Sequence, residues 1–251
     1  MLVSSLPMTH APALPLLLLL LCVLLPGPGC TTVVPLQTAS TVPSGTLRAG
    51  GQAAVSPWCS LSRDVANRCA FLPDGTPLPE LRLQGRLGVA EATDVGVSLF
   101  ASAQVPAGLG WQVRGGAYVD GKRELLSREL GAQRRQVLSV APGVGFALTP
   151  LSPRGTHTPD LELALPVFFG HQTEGWEWVA GAQVLERFQW RPELADPEAR
   201  WQARTEVGLS AGVFSRGPAK TAYQLSYVAP VDRLSGGRLT FGFGLAFDVV
   251  P

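Results

Sequence analysis

Between Trp201 and Val213 the chain reads WQARTEVGLSAGV. Trp201, Ala203, Thr205, Val207, Leu209, Ala211 and Val213 alternate there with Gln202, Arg204, Glu206, Gly208, Ser210 and Gly212. A strand sends successive side chains to opposite faces, so this period of two predicts a β-strand with one apolar and one polar face. At a helical period the same residues scatter round the cylinder, which argues against a helix. The polar face is Gly, Ser and Gln with one Arg and one Glu, not the Lys-, Glu- and Thr-rich face a strand shows to water. It suits the inside of a small barrel whose apolar side meets lipid.

The alternation recurs and predicts about ten strands from Thr46 onward. Early apolar sets are Leu47, Ala49, Ala53 and Val55; Leu81, Leu83, Leu87 and Val89; Val95, Val97, Leu99, Ala101 and Ala103; and Leu109, Trp111, Val113, Ala117 and Val119. Later ones run through 138–148, 161–169, 176–190, 201–213, 223–229 and 239–249. Segments bearing Gly, Pro, Ser and Asp separate them, as turns require. Two intervals resist the pattern. Residues 56–79 hold Cys59, Cys69 and several prolines, and read as a long loop with one helical turn near 63–67. Residues 120–135, DGKRELLSRELGAQRR, admit either a hairpin turning at Asp120–Gly121 or a short amphipathic helix.

Composition decides which way the apolar face points. Charged residues are 16% of the chain and mean hydropathy is +0.19, whereas soluble domains carry roughly 25% charge. On the apolar faces the one charge is Glu186. An eight-stranded interior is just wide enough for its own side chains, and ten strands add modest room. The aromatics of the apolar faces would overfill that space, while Gly, Ala and Ser fit it. The predicted fold class is therefore all-β: an antiparallel up-and-down transmembrane β-barrel. Trp111, Trp176, Trp178, Trp190, Trp201, Tyr223 and Tyr227 lie on the apolar faces, several near strand ends, as the aromatic girdles of a membrane barrel do. The inward set holds Arg82, Arg86, Arg114, Glu162, Glu177, Arg187, Arg204, Glu206, Lys220 and Asp248. Such charges either pair into a plug or line a lumen that passes small solutes.

The first 29 residues read as a signal peptide, with an apolar run at 14–25 too short to span a bilayer. Gly29–Cys30 resembles the end of a bacterial lipoprotein signal, which implies a lipid on Cys30, although Gly27 stands where that signal usually has Leu. Residues 30–45 read as a Ser/Thr/Pro tether and 46–251 as the barrel domain. Cys59 and Cys69, the remaining pair, suit a disulfide closing a small loop in an exported chain.

By this pattern residues 46–251 resemble the small Gram-negative outer-membrane β-barrels. The resemblance implies residence in the cell outer membrane, with outer-membrane lipid and the barrel-assembly machinery as partners. Such chains usually finish on an aromatic residue, whereas this one finishes on Pro251. A net charge of +1 with no basic stripe argues against nucleic acid as a partner. His157 and His171 are the histidines beyond the leader, and no nucleophile signature accompanies them. No cofactor or metal motif is present, and no catalytic residue is assigned. The expected role is structural or interactive at the cell surface, with a narrow channel in the same lumen. The alternatives are a lipid-anchored, lipocalin-like soluble barrel holding an apolar ligand, and a hydrolase at the barrel rim using His157.

Overall fold

The computed structural model describes residues 37–55, 75–106, 112–131, 133–150, 157–190, 201–217, 219–232, 234 and 238–249. Its elements are strands: β1 (Leu47–Val55), β2 (Gly75–Ala90), β3 (Thr93–Pro106), β4 (Gln112–Glu129), β5 (Arg135–Val140) and β6 (Gly143–Pro150). The chain continues through β7 (His157–Gln172), β8 (Trp176–Trp190), β9 (Trp201–Ser215), β10 (Ala219–Pro230) and β11 (Arg238–Val249). Apart from β5 and β6, each strand pairs antiparallel with its neighbours in sequence, and β1 pairs with β11 from Leu47↔Val249 to Val55↔Phe241, closing the ring. Both β5 and β6 lie between β4 and β7, so they are two halves of one stave and the ring has ten places.

The stave breaks at Ala141–Pro142 because proline has no N–H to give the ladder. The break leaves these neighbours bonded: the Gly121 N–H donates to the Pro142 carbonyl and the Ala141 N–H to the Pro166 carbonyl. Residues 120–135 are neither a helix nor a hairpin turning at Asp120–Gly121. Strand β4 runs straight through them, with Gly121 opposite Val95, and the chain turns at 130–134, where Gly131 and Gln133 have positive φ. A register slip between Glu124 and Leu126 leaves Leu125 and Leu126 both exposed. That bulge breaks the period of two and produces the helical look of the sequence. Strand β2 likewise begins at Gly75, within the stretch expected to be loop, and His157 opens β7 instead of lying in a loop.

The pleat sorts the side chains inside out. On β2 and β3, Leu83 is 67% exposed and Leu99 58%, while their neighbours Arg82 and Ser98 are 4% and 6% exposed. Leucines outside and arginines inside would be unstable in water and are the arrangement of a barrel immersed in lipid. The lipocalin-like alternative fails on this point, because the interior that should hold an apolar ligand is lined with charge.

The two ends differ. At one end the connections are short (91–92, 130–134, 173–175 and 216–218), and both the start of β1 and the end of β11 lie there. At the other end they are longer: 56–74, 107–111, 151–156, 191–200 and 231–237. Short turns on one side and longer loops on the other are the habit of outer-membrane barrels.

Candidate functional site

The candidate site is the lumen, because the pleat aims the chain's charges there. Near the short-turn end Arg86 on β2 reaches between two acids. Its guanidinium lies 2.5 Å from Asp94 Oδ1 and 2.6 Å from Asp120 Oδ1, and donates again to Asp120 Oδ2 at 3.1 Å. Gly96 makes room for it, since a Cβ there would sit 2.6 Å from Nη1 of Arg86. Lys122 Nζ lies 3.6 Å from Asp94 Oδ2, Arg135 pairs with Glu124, and Asp248 is held by both Arg48 and Lys220. With Glu177, five cations (Arg48, Arg86, Lys122, Arg135, Lys220) meet five anions (Asp94, Asp120, Glu124, Glu177, Asp248).

A second layer fills the barrel toward the long-loop end. Arg82 pairs with Glu80 at 3.1 Å. Its guanidinium and that of Arg114 each lie 5.2 Å from the Phe100 ring centre, within cation–π range. Arg114 bonds Glu162 at 3.1 Å, and Arg187 lies 3.2 Å from Glu162 and 3.5 Å from Glu206. Arg204 lies 3.5 Å from Glu206. Here Arg82, Arg114, Arg187 and Arg204 face Glu80, Asp160, Glu162 and Glu206, so this layer is also balanced. Charge taken out of water is tolerable when it is paired in this way.

The first mouth is crossed by the chain itself. Residues 37–42, within the stretch expected to be tether, lie inside the barrel, with Gln37, Ala39 and Val42 buried, and Pro43 and Ser44 lead out of its mouth. The N–H groups of Ala39 and Ser40 donate to Glu177 Oε1 at 2.8 and 3.2 Å, that of Thr41 to Glu124 Oε1 at 2.8 Å, and that of Val42 to Asp94 Oδ2 at 2.8 Å. Lys122 Nζ donates to the carbonyls of Thr38 and Ser40 at 3.1 and 2.7 Å. Ala39 packs on a small apolar layer of Val137, Ala141, Phe168, Val179, Phe214 and Ala222. The strap thus ties β3 and β4 to β8, four and three places away round the ring of ten. Beside it, a cavity of about 30 Å³ lined by Gln37, Thr38, Arg48, Arg86 and Lys220 remains, room for water and no larger solute.

The expected inward residues Arg82, Arg86, Arg114, Glu162, Glu177 and Glu206 are buried in the lumen. Arg204 departs from them: its side chain is 56% exposed at the long-loop rim. Trp176 and Trp178 stand on the outer face beside the short turns. Trp190 and Trp201 stand at the opposite end, rings 5.1 Å apart. Tyr223 shares a register row with Trp178 through Val213, and Tyr227 donates from its hydroxyl to the Leu234 carbonyl. His171 lies on β7 opposite Gln136 and Trp178. Trp111, Cys30, Cys59 and Cys69 lie outside the described residues. Sequence reasoning missed Arg48, Glu80, Asp94, Asp120, Lys122, Glu124, Arg135 and Asp160. Asp94 and Asp120 were absorbed into turn signals, although both keep the inward phase of their strands.

The arrangement defines a class: a closed ten-place membrane β-barrel whose lumen is filled by paired charge and by its own N-terminal strap. No protein-family model matches the sequence, and no curated protein matches it. Among solved structures the chain is similar to an outer membrane channel from Pseudomonas putida F1, at 10% identity over 86% of this chain and 100% of that one, TM-score 0.47. It is similar to the outer membrane protease OmpT from Escherichia coli, at 8% identity over 84% and 100%, TM-score 0.39. A third likeness is to LpxR from Salmonella typhimurium, at 11% identity over 80% and 99%, TM-score 0.37.

Proposed function

We propose that the protein is a Gram-negative outer-membrane β-barrel that is sealed to solutes and serves a structural or surface-interaction role. The observation that carries this reading is the double occupancy of the lumen, by a balanced ion-pair layer and by the strap across the mouth. The outer face supports the location. Trp190 lies twelve residue steps beyond Trp178 on β8. At about 3.3 Å per residue and a tilt of about 40°, the two aromatic bands stand about 30 Å apart, matching the apolar band they would bracket. In this reading the short turns face the periplasm and the longer connections the outside. Outer-membrane lipid and the barrel-assembly machinery are its partners, and a lipid on Cys30 would add an anchor. A Cys59–Cys69 disulfide would close a loop within the 56–74 connection, on the outer side.

A narrow channel is the second reading, favoured by the charged lining of the second layer, where arginines and acids outnumber the one ring of Phe100 that they flank. Planar-bilayer recording of the full chain separates the two, with heat-shifted gel mobility confirming that the barrel is assembled. Sealed barrels give no unitary steps at 100 mV. Reproducible steps from an assembled barrel overturn sealing and make the channel the function.

A further inference from the structure

We propose that the seat beneath the strap is a peptide-binding site: the short-turn mouth recognises an uncharged peptide backbone that bends as this one does at Ala39–Ser40, and residues 37–44 occupy it as a resident, displaceable ligand. The recognition runs through the main chain. Four consecutive N–H groups, from Ala39 to Val42, end on the carboxylates of Glu177, Glu124 and Asp94, and two carbonyls receive the Lys122 ammonium. Every residue but proline presents those groups, so the seat reads backbone first. Two hydroxyls add a preference for Ser or Thr: Ser40 Oγ donates to Glu177 Oε2 at 2.8 Å and Thr41 Oγ1 to Glu124 Oε1 at 2.9 Å.

The seat is shaped for a chain. A Cβ on Gly88 would lie 2.0 Å from the Pro43 carbonyl oxygen, and one on Gly170 would lie 2.6 Å from the Ala39 Cβ. Any side chain at either place would push the strap out. The segment Gln37–Gly45, QTASTVPSG, carries no charge, and the surrounding mouth balances its own charges, so the fitting ligand is neutral.

The seat also survives without its occupant. Asp94 keeps Arg86 and Lys122, Glu124 keeps Arg135, and Glu177 keeps the Gln172 amide at 3.2 Å. Departure of the strap still leaves each of the three carboxylates a donor, although among the described residues Glu177 keeps a neutral amide and no cation, which sets the cost of release. The strap itself is lightly fixed to the sheet: among the described residues its one β-type pairing is the single parallel bridge Ser44–Gly88.

The test uses the full chain carrying Ala39→Pro and Thr41→Pro, which removes two of the donated N–H groups and leaves every seat residue in place. The probe is a dye-labelled, end-blocked peptide of sequence QTASTVPSG, read by fluorescence anisotropy in detergent. Saturable binding to the variant, at least tenfold weaker in the parent chain, is expected. It should vanish when Glu124→Gln and Glu177→Gln are added, or when the peptide is N-methylated at its third and fifth residues. Equal binding to parent and variant, indifference to N-methylation, or no binding by a variant that keeps its heat-shifted band would each overturn the proposal. Should the variant fail to assemble, hydrogen exchange of the parent chain decides. Amides 39–42 exchanging at least a hundredfold faster than those of β1 and β11 support a displaceable strap, and equal rates refute it. Conductance plays no part in these readouts, so sealing of the lumen and occupancy of the seat stand or fall separately.

Discussion

Replacing Leu99 by Arg tests the inverted barrel directly. Leu99 is the seventh of the fourteen residues of β3 and is 58% exposed on the outer face, flanked by Leu83 and Ala117 on neighbouring strands. If that face meets hydrocarbon, an arginine at its middle costs about 2–4 kcal/mol. Loss of the leucine's own preference for lipid adds about 0.5 kcal/mol. On a water-facing surface the same change would fall within about 0.5 kcal/mol of zero. Glu91→Arg is the matched control, since Glu91 is exposed in the short turn beyond β2 and changes charge in the same direction. Reversible guanidinium unfolding in phosphatidylcholine vesicles gives both free energies. A loss of at least 2 kcal/mol for Leu99→Arg, with Glu91→Arg near the parent value, is the expected outcome. Equal, small effects at the two positions would refute the assignment of the outer face to lipid.

Two further substitutions probe the interior by the same unfolding measurement. Arg86→Met leaves Asp94 and Asp120 facing each other without the guanidinium between them, and a loss of about 3–5 kcal/mol is expected. Adding Asp94→Asn and Asp120→Asn should recover part of it, and a single-variant loss under about 1 kcal/mol would show that water already screens the cluster. Gly170→Val drives a side chain into Ala39 and Glu177 and should cost about 1–3 kcal/mol. It should also make the peptide bonds of 37–44 newly sensitive to protease, while unchanged proteolysis would place the strap elsewhere.

Alternation made the strands legible because burial on one face and lipid on the other both enforce a period of two, and nothing competes with it from Val95 to Ala101 or from Trp201 to Val213. It failed where chemistry borrows the vocabulary of turns. Asp120–Gly121 has the sequence of a hairpin turn, yet Asp120 serves as an anion for Arg86 and Gly121 continues the ladder. Asp94 was lost to a turn for the same reason. The strap was invisible for a different cause: its affinity lies in backbone N–H groups that every sequence shares, and its composition matches a free linker. What could have exposed it is the gathering of inward acids near one end, Asp94, Glu124 and Glu177, whose oxygens accept more hydrogen bonds than the neighbouring cations supply even though the charges balance. Arg204 shows the limit of phase alone, since alternation gives the face of a residue but not its depth, and this one lies at the open rim.

The ladder between β1 and β11 joins positions about two hundred apart in the chain, with Arg48 bonded to Asp248 across it at 2.6 Å. Every other strand pairing is between neighbours in sequence or skips one half of the split stave, so hairpins can form early and the seam must form last, at the largest loop-closure cost. The strap's bonds to β3, β4 and β8 span 52 to 138 residues, which falls between those two scales. Laid across the open sheet, it would draw β3 and β8 toward each other and curl the edges into reach before the seam zips. A segment of eight residues would then serve as the gauge that sets the circumference of the finished ring.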